Sequence, residues 1–354
     1  MDIDELYYNS IDLLKRLIAT PSVSRDEQAA ADIVEDYLKN NGHTPSRVHN
    51  NIIAIAPDYS AYRPTLLLNS HVDTVRPVDG WTFDPFTPTE VDDRLYGLGA
   101  NDAGASLVSL AATFLQLAEQ PREYNLIFVA SAEEEVSGKN GIESVLPLLP
   151  HIDVAIVGEP TGMHPAISEK GLMVIDAEIH GRSGHAARNE GDNAIYRALP
   201  VIETLRNLRL PNESPTLGPV KISVTQINAG TQHNVVPDLC RLVIDVRTTD
   251  AYSNIETLKL LQEAVPQCVI TPRSTRLNPS SITPDHILVR RLKMLGFEPF
   301  GSPTLSDQAL MPWPSLKVGP GDSARSHTAD EYIRPEEIRH AIDTYLTILT
   351  PGLS

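Results

Sequence analysis

The sequence predicts an α/β protein: a three-layer α/β/α domain interrupted by an inserted α+β domain. Three observations predict it. Apolar runs alternate with helical patterns through the first 160 or so residues, as in strands joined by helical crossovers. From about Gly171 the apolar residues recur every second position, the mark of strands with one face covered. Beyond the Pro- and Ser-rich stretch 271–284, strand and helix patterns of the first kind resume. The boundaries that follow are 1–169 and 277–354 for the first domain and 170–276 for the insertion.

Each element has its own signal. Residues 11–18 are amphipathic, and Ser24 to Glu27 reads as a capping box opening a helix to about Asn40, stopped by Asn41-Gly42. Strands are expected at 51–56 and 65–69; the second is apolar throughout, as in a strand buried on both faces. Gly97 and Gly99 mark a turn leading to Asp102 and a small-residue helix over 104–120. A strand at 125–131, a helix ending near Leu149 and a strand at 153–157 complete the first segment. The insertion shows strand patterns at 172–180, 221–227 and 241–246, within an expected four strands, and helical ones at 193–208 and 254–265. A helix over 287–295, a strand at 315–318 and a helix over 335–349 close the chain.

Composition excludes several classes. With 46 acidic against 29 basic residues in 354, the net charge is −17, which argues against nucleic-acid or anionic-membrane partners. The acidic start Met1-Asp2-Ile3-Asp4 lacks a signal-peptide pattern, and no apolar run approaches a membrane span. Two cysteines, Cys240 and Cys268, build no disulfide framework, so a cytoplasmic location is expected.

In open α/β sheets, ligands collect at the carboxyl ends of strands. Ser70-His71-Val72-Asp73 follows one expected strand, and Glu133-Glu134-Glu135 follows another. Gly158-Glu159-Pro160-Thr161 follows a third, and Gly319-Pro320-Gly321 with Ser326-His327 follows the last. Asp102 follows the glycine turn. Carboxylates repel one another when crowded in a cleft, so such a set implies cations. Mixed histidine and carboxylate donors suit Zn²⁺, with Co²⁺ or Mn²⁺ as alternatives. With this many carboxylates one can bridge, which implies two ions.

These motifs, together with Tyr96-Gly97-Leu98-Gly99, resemble those of the M20 metallopeptidase family, particularly its acetylornithine deacetylase branch, with the succinyl-diaminopimelate desuccinylases next. The resemblance runs from about Thr20 to Tyr345. It implies that Asp102 bridges two metal ions, His71 and Glu159 completing one site and Glu135 and His327 the other. Asp73 would orient the His71 imidazole, and Glu134 would be the general base. The insertion would be a lid, or dimerisation, domain. Its Gly181-Arg182-Ser183-Gly184-His185-Ala186 motif implies that His185 polarises the scissile carbonyl. Asn234 and Arg247 would hold substrate oxygens, Arg247 the α-carboxylate through its planar fork; Gly319 is also assigned to substrate binding. One departure stands out: the chain reads Asp102-Ala103-Gly104-Ala105 where many members read Asp-x-Lys-Gly.

The acidic triplet supports two assignments. A continued strand would place Glu133 and Glu135 on one face, favouring Glu133 as base. The family alignment instead favours Glu134, which requires the chain to turn at the strand end. The implied activity is hydrolysis of a small N-acylated amino acid, N-acetylornithine foremost, in arginine biosynthesis, by a homodimer joined through the lid. Deacylation of N-succinylornithine or N-acylcitrulline and desuccinylation of succinyl-diaminopimelate are the near alternatives. A dipeptidase, an aminoacylase or a non-catalytic binding protein of the same fold are the remoter ones.

Overall fold

A computed structural model describes residues 3–188, 190–350 and 352–353. The chain divides into two compact units, the first 1–167, 282–300 and 306–354, the second 168–281 and 301–305. The sequence-based boundaries lie at 169/170 and 276/277, and the second unit also takes in the five-residue return 301–305.

In the first unit the strands lie in the order Ser46–Val48, Asn51–Ile55, Asn125–Ser131, Thr65–His71, Val154–Val157 and Ser315–Lys317. The last four run parallel to one another, and Ser46–Val48 and Asn51–Ile55 each pair antiparallel with the strand that follows in this order. Alternate residues explain the continuous apolar runs. Leu66, Leu68, Leu126 and Phe128 enter one core, while Leu67, Ile127, Val129 and Ala155 enter another on the opposite face. A sheet covered on both sides has no polar face to show.

The helices Ile3–Ile18, Ala105–Ala118 and Pro335–Leu349 pack in the larger core. Ala105–Ala118 is buried along almost its whole length. Its small residues allow that, and the hydroxyls of Ser109 and Thr113 donate back to the carbonyls of Ala105 and Ser109 at 2.7 and 2.8 Å. The smaller core is closed by the short helix Ile142–Val145 and a single 3₁₀ turn, Leu146–Leu148, in place of the longer helix expected there.

Ser24 does not cap a helix. The second helix begins at Gln28, and the Ser24 hydroxyl donates to Asp73 Oδ2 at 2.6 Å. A hydroxyl committed to a carboxylate 49 positions away is not available to the helix N-terminus.

The second unit holds an antiparallel four-stranded sheet in the order Lys221–Ala229, Leu239–Thr248, Gly171–His180 and Val269–Pro272. Met173, Ile175, Ala177 and Ile179 alternate into one core with the helices Ala194–Asn207 and Asn254–Ala264. Ser253 and Glu256 form a complete capping box on the second helix. The stretch expected to be a linker contributes Val269–Pro272 and a two-residue strand, Ser280–Ser281.

Candidate metal centre

The parallel strands all present their carboxyl ends to one edge, where the predicted residues of the first unit meet. His71 closes the strand Thr65–His71 and is buried. Its Nδ1 lies 2.8 Å from the carbonyl oxygen of Asp73. A carbonyl only accepts, so Nδ1 carries the proton and a neutral ring turns a lone pair at Nε2 outward. That lone pair faces carboxylates: Asp102 Oδ1 at 3.3 Å and Glu159 Oε1 at 3.8 Å. His327 also turns Nε2 to carboxylates, 3.0 Å from Glu135 Oε2 and 3.6 Å from Asp102 Oδ2.

Donor atoms opposed in this way repel unless positive charge lies among them. The titration behaviour agrees. Glu134 is pushed well above its ordinary value by burial and by the nearby Glu159, Asp307 and Glu135 carboxylates. Burial and Asp102 lift Glu159 to about 8. His327 rises to about 9, chiefly through its hydrogen bond with Glu135. Burial opposes protonation of His71, but the Asp102 hydrogen bond and the surrounding carboxylates outweigh it and raise this group as well. Without a cation the cluster has to hold protons.

The spacing fits a metal. Ligands about 2.0 Å from a tetrahedral ion lie ~3.3 Å apart, close to the His71–Asp102 separation. Among the described residues, two triads have donor atoms within 4.8 Å of one another, His71–Glu134–Glu159 and His71–Asp102–Glu135. His71 is common to both triads. The family-based partition divides the ligands differently, sharing Asp102 instead, and Asp102 does contact both His71 and His327.

The triplet turns as it leaves its strand. Glu133 has a left-handed backbone (φ 53°), which ends the two-residue alternation, and Glu134–Val136 forms a 3₁₀ turn. Glu133 is buried away from the ligands, its Oε1 accepting from Asn140 Nδ2 at 3.0 Å. Gly138 makes room for it: a Cβ there would lie 1.8 Å from Glu133 Oε2. Glu134 and Glu135 both turn to the cluster.

Asp73 meets the His71 ring chiefly through its main chain. Its carboxylate lies 3.7 Å from His71 Nδ1, while its backbone carbonyl makes the close contact. The carboxylate instead accepts the main-chain N–H groups of Glu134 at 3.0 Å and Glu135 at 3.2 Å, and the Ser24 hydroxyl. It therefore shapes the turn that carries both glutamates. Gly319 packs against the Glu159 segment. It is buried, its N–H donates to Thr161 Oγ1 at 3.1 Å, and its carbonyl accepts from Thr161 and Met163. A Cβ would lie 2.2 Å from Ser106 Oγ and 2.6 Å from the Glu159 carbonyl. Both its polar groups are engaged, and it supports the Glu159 loop.

His185, Asn234 and Arg247 belong to the second unit. His185 Nδ1 accepts the Ala187 N–H at 3.1 Å, which leaves the proton on Nε2 as an exposed donor. Asn234 is exposed, and its carbonyl accepts from Ala186 at 3.0 Å. The Arg247 fork is engaged by Asp245 at 2.9 and 3.2 Å, so only its remaining N–H groups are open to a further carboxylate. Sequence reasoning missed Ser24, Asn101 and Glu331, all of which hold ligand-bearing segments. Ser24 had a local reading as a cap, and no short motif marked the other two.

Fold and site together define a metal-dependent hydrolase. The chain belongs to peptidase family M20/M25/M40, whose profile matches residues 67–350. It is 30% identical over 377 aligned positions to an acetylornithine deacetylase of Shigella sonnei, covering 96% of each chain. A succinyl-diaminopimelate desuccinylase of Paracoccus denitrificans is 31% identical over 260 positions, 68% of each. Among solved structures, a Staphylococcus aureus tripeptidase superposes with a TM-score of 0.75 at 20% identity, over 98% of both chains. A Bacillus subtilis protein described as a dinuclear metal-binding peptidase of the M20 family does so with 0.72 at 16% identity, over 98% of this chain and 99% of that one.

Proposed function

We propose that the protein is a two-metal amidohydrolase that removes the N-acyl group from a small N-acylated amino acid, with N-acetylornithine as substrate in arginine biosynthesis. The observation that carries this reading is the convergence of His71, Asp102, Glu134, Glu135, Glu159 and His327 at one sheet edge, with the Nε2 atoms of both histidines facing carboxylates. The similarity to acetylornithine deacetylases along nearly the full chain supports the substrate.

His71, Asp102, Glu135, Glu159 and His327 would hold the ions, Zn²⁺ first by donor chemistry. Bound there, they would lower the pKa of water and polarise the amide carbonyl. Glu134 takes a proton from the attacking water as its oxygen bonds to the acyl carbon. It returns that proton to the nitrogen as the C–N bond breaks, releasing a carboxylate and the free amine. A carboxyl raised by burial is suited to both halves of that exchange. His185 offers Nε2–H to the developing oxyanion, and the free N–H groups of Arg247, with Asn234, take the substrate carboxylate.

The second unit is proposed to form a homodimer. Its strand Lys221–Ala229 is paired on one edge only, with Ile227 exposed, and Tyr196 and Leu199 are exposed on the helix Ala194–Asn207. An open strand edge beside apolar surface suits pairing with a second copy.

Desuccinylation of succinyl-diaminopimelate is the second reading, favoured by the 31% identical relative. Turnover of the zinc-loaded enzyme on N-acetylornithine, N-acetylcitrulline, N-succinylornithine, N-succinyl-diaminopimelate and a simple dipeptide separates the readings. The proposed substrate requires the highest kcat/KM on N-acetylornithine, and a preference for any other member of the panel replaces it.

A further inference from the structure

Glu331 is buried, 2% exposed, four positions beyond His327. Its Oε1 accepts the main-chain N–H groups of Asn101 at 2.8 Å and Asp102 at 2.9 Å. Its own carbonyl accepts the N–H of Gly97 at 3.0 Å. One residue thus grips the start and the end of the turn that presents Asp102. A buried carboxylate is costly unless hydrogen bonds compensate it, and here they come from the backbone beside a ligand.

A second tie runs from the other end of the same segment. The buried Asn101 carboxamide accepts from the Asp322 N–H at 3.0 Å. Its Nδ2 donates to the Asp322 carbonyl at 3.1 Å and to Ser326 Oγ at 3.2 Å. Residues 322–331 carry His327, and they are joined to the Asp102 turn on both sides of that histidine. His327 itself is half-exposed, with a side-chain exposure of 52%, so packing alone does little to hold it.

We propose that Glu331 is the positioning residue of the metal centre. By holding the backbone of Asp102 against the loop of His327, it presents the two side chains as a preformed pair, so that an ion need not order them on binding. The energetic reason is that ordering a loop opposes binding, and a site fixed beforehand avoids that cost. This inference rests on the reading of Asp102 and His327 as metal ligands.

The test is a Zn²⁺ titration of chelator-treated protein against an indicator of matched affinity, with thermal unfolding of the metal-free forms and kcat and KM in parallel. Wild type and the exposed control E336Q are expected to take two ions with the same affinity. E331A should lose about tenfold to a hundredfold in affinity for at least one ion, with kcat reduced at limiting Zn²⁺ and recovered in excess. E331Q, whose amide oxygen still accepts both N–H groups, should recover most of that loss. E331D keeps the carboxyl group but shortens the reach, and should bind Zn²⁺ severalfold more weakly even if E331A does not fold. No ion bound by wild type would overturn the metal-centre reading itself. Two ions bound by wild type and equally tightly by E331A, or by E331D where E331A is unfolded, would overturn the positioning role alone. Equal weakening in E331A and E331Q would do the same, since the retained acceptor would then not matter.

Discussion

Among the three consecutive glutamates, burial and backbone angle assign different surroundings to each. Glu133 is locked to Asn140, Glu135 meets His327, and Glu134 sits with His71 and Glu159. Replacing Glu134 with glutamine preserves shape and removes the proton acceptor. The expected result is full metal content with hydrolysis reduced by about 10²–10⁴-fold, checked by elemental analysis and turnover on the same sample. Gly319→Ala tests the packing under Glu159. A Cβ at 2.2 Å from Ser106 Oγ forces a shift, so about 1–3 kcal/mol of stability should be lost, together with Zn²⁺ affinity. Denaturant unfolding and metal titration read the two effects separately.

At the scale of elements, the parallel strands were legible because both their faces are buried and their apolar runs are unbroken. The capping box at Ser24 was a false signal: the motif is local, while the hydroxyl's partner, Asp73, is brought up by the fold. The same holds for Glu331, whose partners lie some 230 positions away. The segment after the second helix carries a titration effect. His43 packs on Phe114 with ring centroids 5.0 Å apart, and burial lowers its pKa below the ordinary histidine value. The unfolded chain therefore takes up the proton first, so this group costs stability as pH falls through about 6.5 and below. His43→Phe should flatten the stability profile between about pH 7 and 5 relative to wild type, as read by urea midpoints across that range.

For the molecule as a whole, all the residues proposed as metal ligands lie in the first compact unit. A ligand that binds only the folded state stabilises it by RT ln(1 + [L]/Kd), about 4 kcal/mol at a thousandfold excess over Kd. Chelation should therefore lower the unfolding temperature of that unit, and Zn²⁺ should restore it, as followed by calorimetry. The exposed edge of the second unit makes a separate prediction. Ile227→Lys places a charge on the open strand and should convert a dimer to monomers in light scattering, with the metal content of each chain unchanged.

The sequence by itself determined the α/β class, the order of the main strands and helices, the family, and which residue types cluster at strand ends. Periodicity and short motifs are local properties, and they survive in a linear reading. Only the tertiary structure decided that Glu134 and Glu135 turn to the cluster while Glu133 turns away, that Asp73 supports the glutamate turn chiefly through main-chain N–H groups, that Gly319 packs under Glu159, and that Glu331 and Asn101 tie two loops together. Each of those depends on where distant segments meet and on a backbone that turns at Glu133, and neither is encoded in the spacing of the residues concerned.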